Sequence, residues 1–266
     1  MGKLLPAAIQ KTGIDAKEID DFIVGCATGV SEQFSFGGRF PIFLANLPET
    51  IAAKSVDQQC GSAMAGIHIG FMEIAMDFAD IVMVGGMEHM TRVPMGGPLI
   101  DRGAIKPNMS LFMAPEYQHW DVMTAMNMGL TAEKLFAQND FTKEDMDKWG
   151  VRSHELAAKA QAAGFFDDEI LPIEAEQADG SVMTVDKDQA VRAETTLEGI
   201  SQLRPAFKKD GVITAGISSP LNAAATSMIL MSKETAKKKG IKPVSYTHLT
   251  LPTTKALGRS GGGGGG

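Results

Sequence analysis

The chain has 266 residues, a formal net charge of −7 and a hydrophobic share of 44%, which suit one large or two small globular domains. No apolar run approaches the about 20 residues that cross a bilayer, and no basic stripe is present, so we expect neither a membrane nor nucleic acid as a partner. The two cysteines, Cys26 and Cys60, match no zinc or redox motif, which excludes an obvious metal site. Unpaired thiols predict a reducing compartment, the cytoplasm, with an organelle as the alternative.

The first part of the chain alternates predicted helices and strands. Helices are predicted at 3–12, 39–47 and 62–77, and strands at 22–26, 51–56 and 81–84. A further short helix is predicted after Asp15, its candidate N-cap, and ends at Asp20 or Asp21. A strand–helix–strand order predicts a parallel sheet that helices cover on both faces. The helix at 62–77 is apolar on most faces, so we expect it to be central rather than superficial.

From Pro94 onward the pattern becomes an irregular α+β insertion. Amphipathic helix returns over 129–164, where Thr131 and Thr142 are candidate N-caps, and Thr142 precedes Asp145 at the spacing of a capping box. Short strands are predicted at 170–173 and 181–185. The core resumes with a strand over 223–231 and a helix over 233–239.

The last residues differ in character from the rest. The segment after Pro243 shows only weak strand alternation, and residues 261–266 are all glycine, which has no side chain to pack. We therefore expect 244–266 to be a non-native tail.

Cys60 is the first candidate for chemistry. It stands at the start of the predicted helix 62–77, where backbone N–H groups without helical partners and the positive end of the helix dipole favour a thiolate. A thiolate can accept an acyl group from a thioester. The alternative is a buried packing residue, which is what most cysteines are. Polar or small neighbours, Gln59 and Gly61 among them, favour the first interpretation.

Four segments resemble thiolase sequences, in the same order along the chain. The segment 56–65 around Cys60 is similar to the thiolase active-site segment, and 80–94 is similar to a second one, with His89 where Ser is more usual. Segments 203–207 and 214–222 match two later ones. Because four ordered matches are far more specific than one, the chain is identified as a member of the thiolase family over roughly residues 3–243.

The resemblance implies a thiolase-like layered α/β half, with a mixed, mainly parallel sheet covered by helices, and an inserted α+β loop domain. The implied divisions are an N-terminal core at 1–92 whose first strand is missing, a CoA-binding loop domain at 93–219, a return to the core at 220–243, and the tail at 244–266.

The resemblance also assigns roles to single residues. Cys60 corresponds to the nucleophile that carries the acyl thioester. Ser219 corresponds to a residue near the pantetheine, Arg192 to a basic residue at the adenine nucleotide, and Met128 to the acyl pocket. Each has a plainer alternative: Ser219 as a turn cap before a proline, Arg192 as a solvated cation, Met128 as core filler. Ile217 departs from the family pattern, which has Asn there.

Other segments typical of thiolases are absent from these 266 residues. The sequence has no Gly-His-Pro segment for the catalytic base, no Asn-Glu-Ala-Phe segment and no third cysteine. Among the five histidines, His89 is the one that could lie near the site, and we expect it not to replace the base. We therefore expect a truncated thiolase with little or no turnover.

The leading functional hypothesis is a thiolase-type acyltransferase that works through an acyl-enzyme at Cys60, in 3-ketoacyl-CoA thiolysis or acetyl-CoA condensation. CoA and acyl-CoA are then substrates, with no covalently bound cofactor and no metal, and the parent enzyme is expected to be a homo-oligomer, a dimer or tetramer. Two alternatives remain: a condensing enzyme related to ketoacyl synthases, and a non-catalytic CoA-binding or interaction fragment.

Overall fold

The computed structural model describes residues 1–91, 93, 110, 114–177 and 179–244. Contacts divide the chain into two compact units. The first unit comprises Met1–Ala27, Ser35–Met87 and the chain from Ala225 onward, and the second comprises Thr28–Phe34 and Glu88–Ala224. Residues 28–34 thus group with the second unit.

The first unit is built on a four-stranded sheet, in which the strands lie side by side in the order 52–56, 21–25, 81–89 and 223–231. Its helices are α1 (Leu4–Thr12), α2 (Arg39–Leu44), α3 (Ser62–Ala75) and α8 (Lys233–Lys238), and its strands are β1 (Asp21–Gly25), β2 (Ala52–Val56), β3 (Ile81–His89) and β6 (Ala223–Met231). β1 pairs in parallel with both β2 and β3. The predicted helix after Asp15 is a single 3-10 turn, Ala16–Glu18, which Asp15 caps as expected.

Side chains of β1 and β3 point alternately to two cores, because successive residues of a strand face opposite sides of a sheet. Phe22 and Val24 pack on one side with Leu5 of α1 and Ile42 of α2. Ile23 packs on the other side with Val82 and Val84, against partly buried residues of α3. Both faces of the central strands are therefore covered, which explains their continuous apolar sequences.

Helix α3 differs from its prediction as a central helix. It turns Ala65, Gly66 and Gly70 towards the sheet. On its other side large apolar residues are exposed, including Met64 and Phe71 at 55% and 54%. The predicted central position was wrong for a physical reason. Apolar residues all round a helix show only that burying every face would be favourable. Within the described residues, the sheet covers one face of α3.

The second unit is mainly helical and contains a separate two-stranded sheet. Its helices are α4 (Val122–Met126), α5 (Met128–Ala137), α6 (Lys143–Ala162) and α7 (Leu197–Ser201), and β4 (Ile173–Glu176) pairs antiparallel with β5 (Val182–Val185). Thr142 and Asp145 form the expected reciprocal cap of α6. The N-cap of α5 is not Thr131 but Asn127, whose Oδ1 accepts a hydrogen bond from the Leu130 amide at 3.1 Å.

The predicted fold class is confirmed: the protein is α/β, with a mainly parallel sheet and covering helices, and a second α+β unit. The domain limits at 92, 219 and 243 stay a prediction. No helix in the described ranges is both long and apolar enough to cross a bilayer. The proposed tail 244–266 lies outside the described residues, apart from Val244.

Candidate active site

Cys60 lies in the turn between β2 and α3. Strand β2 ends at Val56, Gly61 is the N-cap, and the helix begins at Ser62, so Cys60 directly precedes the cap. Its side chain is exposed, whereas that of Cys26, directly after β1, is buried. The two cysteines therefore differ in access to solvent. An exposed position at this point of the chain is open to a reactant in solution.

The side chain of Ser62 ties the turn together. Its hydroxyl accepts a hydrogen bond from the Gln58 amide at 2.9 Å and donates one to the Gln59 carbonyl at 2.6 Å. On the opposite side of the turn, Asp57 Oδ1 accepts from the Gln59 amide at 2.9 Å. Gln59 itself has φ of 50°, a left-handed conformation that costs energy for a residue with this side chain. These bonds explain how the turn holds that conformation next to Cys60.

Two amides near the helix start are occupied within the turn. Gly61 donates its amide to the Gln58 carbonyl and Ser62 to that of Gln59, both at 3.0 Å. The next two amides, of Ala63 and Met64, have no acceptor among the described residues. Amides of this kind at the N-terminus of a 14-residue helix favour negative charge nearby. The helix start thus retains two donors for an anion.

A charged cluster joins the sheet to α3. Lys54 of β2 forms ion pairs with Asp21 of β1 and Glu73 of α3. Burial acts to lower the pKa of Lys54, but hydrogen bonds to Asp21 and Glu73 outweigh it, so the pKa is raised above its ordinary value. Lys54 therefore stays charged and connects three elements, β1, β2 and α3.

The other three predicted site residues belong to the second unit. Met128 is the first residue of α5 and is 62% exposed. Arg192 is exposed, and its amide donates to His154 Nδ1 at 3.2 Å. Ser219 is exposed in the segment between the 3-10 turn Ala215–Ile217 and β6. Solvent can therefore reach all three side chains, as a ligand-binding role requires, and their roles stay predictions.

His89 is held at the end of β3 by a network within the second unit. Its amide donates to Gln33 Oε1, and its Nδ1 lies 3.1 Å from Thr91 Oγ1. The Nε2 of Gln33 donates to the Thr28 carbonyl at 2.6 Å and to Glu88 Oε1 at 2.8 Å. Buried Gln33 thus fixes the backbone of this segment, a role that the sequence did not suggest.

Two other residues that shape the site were not found from the sequence. Ser62 reads as an ordinary small residue of the helix, although its hydroxyl ties the turn. Gly25 ends β1 beneath the first turn of α3. A glycine inside an apolar strand signals a close backbone approach, and this signal could have identified Gly25.

Comparison with known sequences identifies the family. Residues 1–234 match the family described as "Thiolase, N-terminal domain". The chain is 38% identical over 233 residues to a 3-ketoacyl-CoA thiolase of Marinobacter nauticus. The aligned region covers 87% of this chain and 56% of the relative. It is 36% identical over 243 residues to a probable acetyl-CoA acyltransferase of Staphylococcus aureus, covering 91% of this chain and 62% of the relative.

A solved structure shows the same fold. The crystal structure of the Bacillus anthracis acetyl-CoA acetyltransferase superposes with a TM-score of 0.74 at 30% identity, over 90% of this chain and 60% of that one. The chain thus spans little more than half the length of these relatives. Because the family match covers most of its residues, the chain belongs to the thiolase family.

Proposed function

We propose that Cys60 is the nucleophile of a thiolase-type acyl transfer and accepts an acyl group from an acyl-CoA thioester. The single observation that carries the proposal is the exposure of Cys60 directly before the start of α3. Hydrogen bonds of Ser62 hold the turn that contains Cys60, and the helix start retains amide donors. Cys26, the other cysteine, is only 5% exposed and is unsuited to the role.

The chemistry follows from a thiolate at Cys60. The thiolate sulfur attacks the thioester carbonyl, the carbon–sulfur bond to CoA breaks, and CoA leaves as a thiolate that takes up a proton. The product is an acyl-thioester on Cys60. In condensation, a base removes a proton from C2 of a second acetyl-CoA, the C2 carbanion attacks the carbonyl of the acyl-thioester, and Cys60 leaves as a thiolate. In thiolysis, the Cys60 thiolate instead attacks the 3-keto carbon of a 3-ketoacyl-CoA and the C2–C3 bond breaks. The C2 carbanion takes up a proton and leaves as acetyl-CoA, and the thiolate of a second CoA then takes the acyl group from Cys60. Backbone amides at the helix start stabilise negative charge in this region.

We propose CoA-binding roles for three residues of the second unit. Ser219 contacts the pantetheine, Arg192 the adenine nucleotide, and Met128 the acyl chain. The relatives' names, 3-ketoacyl-CoA thiolase and acetyl-CoA acyltransferase, support CoA thioesters as substrates. The thiol at Cys60 requires a reducing compartment, for which we propose the cytoplasm. For the whole enzyme we propose a homo-oligomer.

Full turnover requires more groups than these residues supply. The sequence lacks Gly-His-Pro and a third cysteine, and hence the family's base and its second acid/base. We propose that the 266 residues accept an acyl group slowly and turn over little or not at all, because loss of one member of such a group already costs orders of magnitude in rate.

Mass spectrometry after incubation with acetyl-CoA tests the proposal. We expect one acetyl group on Cys60, retained in Cys26→Ser and lost in Cys60→Ser. A thiolysis assay with CoA and a 3-ketoacyl-CoA should show little product. Acetylation that persists in Cys60→Ser would contradict the proposed nucleophile, and rapid thiolysis would contradict the proposed loss of turnover.

A non-catalytic CoA-binding role is the second candidate, favoured by the lack of a Gly-His-Pro segment and of a third cysteine among the 266 residues. Alkylation of Cys60 by iodoacetamide, with and without CoA, separates the two. A fast reaction that CoA slows supports a nucleophile. A slow reaction, together with CoA binding in calorimetry, supports the binding role.

A further inference from the structure

The first turn of α3 rests on two glycines of the sheet. Gly25 of β1 and Gly86 of β3 are directly paired in the parallel ladder. A Cβ atom on Gly25 would lie 2.6 Å from Ala63 Cα, and closer still to the Ala63 nitrogen and the Ser62 carbonyl carbon. A Cβ atom on Gly86 would lie 2.8 Å from Ala63 Cβ and 2.9 Å from Thr226 Oγ1. All these separations are below van der Waals contact.

Further along α3, the glycines of the close contact lie in the helix instead of in the sheet. There α3 supplies the glycines and the strands supply side chains: a Cβ atom on Gly66 would lie 3.0 Å from Val84 Cγ1, and one on Gly70 would lie 2.9 Å from Val82 Cγ1. The helix therefore stays close to the sheet along its length. At its first turn, where it carries Ser62 and Ala63, the sheet must supply the glycines.

We propose that Gly25 and Gly86 are positioning residues for Cys60, acting through Ala63 to set the depth at which the helix start meets the sheet. The inference rests on the proposed function of Cys60 as acyl acceptor. Ala63 follows Cys60 by three positions, and the bonds of Ser62 to Gln58 and Gln59 hold residues 58–62 together. A helix start that moves away from the sheet therefore carries the thiol with it.

The two glycines differ in what a methyl group would strike. At Gly86 it would meet two side-chain atoms, Ala63 Cβ and Thr226 Oγ1, and Thr226 is an exposed residue whose hydroxyl can move to another rotamer. Removing the Ala63 methyl therefore makes room for Gly86→Ala. At Gly25 the methyl would meet the backbone of Ser62 and Ala63, which no substitution removes. Ala63→Gly should therefore rescue Gly86→Ala and should not rescue Gly25→Ala.

The test uses mass spectrometry to measure the acylation of Cys60 by acetyl-CoA and its alkylation by iodoacetamide. Five proteins are compared: the wild type, Gly86→Ala, Gly25→Ala, and the two glycine variants combined with Ala63→Gly. Because an error of about 1 Å in a reacting group costs up to about 100-fold in rate, we expect acylation to slow about 10-fold in Gly86→Ala and about 100-fold in Gly25→Ala. In Gly86→Ala/Ala63→Gly the rate should return to within about 3-fold of that of the wild type.

Two controls separate positioning from loss of structure. Cys26 is buried in the same unit, so it reports unfolding: its alkylation must stay slow in every variant that is compared. Gly29→Ala provides a matched glycine substitution, because its Cβ would meet nothing within 4 Å. We expect wild-type rates in this variant.

The outcomes are distinguishable. A wild-type rate in Gly86→Ala, or a slow rate that Ala63→Gly leaves unchanged, overturns the inference. If Gly25→Ala fails to fold, the Gly86 pair decides alone. If wild-type Cys60 takes no acetyl group, the proposed function is wrong, and the alkylation rates still decide whether the glycines position the thiol.

Discussion

The hydroxyl of Ser62 donates a hydrogen bond of 2.6 Å to the carbonyl oxygen of Gln59, across the turn that carries Cys60. The same hydroxyl accepts from the Gln58 amide, so one side chain satisfies two backbone groups. Ser62 is only 4% exposed, so water cannot readily replace these bonds.

Replacing Ser62 by Ala should therefore loosen the turn. We expect a loss of about 1 kcal/mol in the free energy of unfolding, because the partly buried Gln58 amide and Gln59 carbonyl lose their partner. Urea unfolding followed by circular dichroism measures it. Ser201→Ala is the matched control, since its hydroxyl also bonds a carbonyl, that of Glu198, but at an exposed helix end. Equal losses in the two variants would contradict the prediction.

Replacing Lys54 by Met should leave the carboxylates of Asp21 and Glu73 without their cation. We expect a loss of about 1–3 kcal/mol, below the about 3–5 of a fully buried pair because the Lys54 side chain is 39% exposed. Lys148→Met, which breaks the exposed pair with Glu144, should change stability little. Chemical unfolding at pH 7 compares the variants.

The Lys54 contribution should also depend on pH. Its pKa is raised in the folded protein, so its stabilisation is complete below the ordinary lysine value of 10.5 and is lost as the pH rises through the folded-state pKa. The difference in unfolding free energy between wild type and Lys54→Met should therefore be constant from pH 7 to about 10 and shrink once the pH rises above 10.5. A difference that grows with pH would contradict a raised pKa of Lys54 in the folded protein.

In the second unit, Glu133 is predicted to hold the segment around Val212. Its carboxylate accepts the amides of Val212 at 2.9 Å and Ile213 at 2.8 Å. Glu133→Ala should cost about 2 kcal/mol in unfolding free energy, since two amides lose a charged acceptor, and Glu133→Gln should cost less. Glu155→Ala on the exposed face of α6 is the control. Thermal unfolding of the variants measures the effect.

Gly129 of α5 should resist a substitution that usually stabilises a helix. Replacing Gly by Ala inside a helix normally gains about 1 kcal/mol. Here the new Cβ would overlap the ring of Phe207, so we expect Gly129→Ala to destabilise the protein. Phe207→Ala should remove the conflict, and a double-mutant cycle in urea should show coupling of about 1 kcal/mol or more. Additive effects would contradict the contact.

Local sequence patterns predicted most elements of the fold. Strand β6 has the predicted limits, and α3 starts at the predicted residue. The caps at Asp15 and Thr142 were predictable because a cap depends on residues only three apart. The cap of α5 was misplaced at Thr131 because the same periodicity fits a start at either Asn127 or Thr131, and hydrogen bonding decides between them.

For the candidate site, the sequence identified Cys60 through its neighbours and the ordered family segments. It did not indicate the support of the turn by Ser62, nor the role of Gly25. Residues 25, 63 and 86 are far apart in the chain, and they meet only because β1 and β3 pair in one register and α3 lies across them.

The sequence by itself determined the family, the order of helices and strands, and the cysteine to test, because these depend on residue identity and on spacing within a few residues. Tertiary structure decided which cysteine is exposed, which face of α3 the sheet covers, and how closely that helix approaches its glycines. The physical reason is that exposure and contact are set by pairing between distant segments, which local periodicity does not encode.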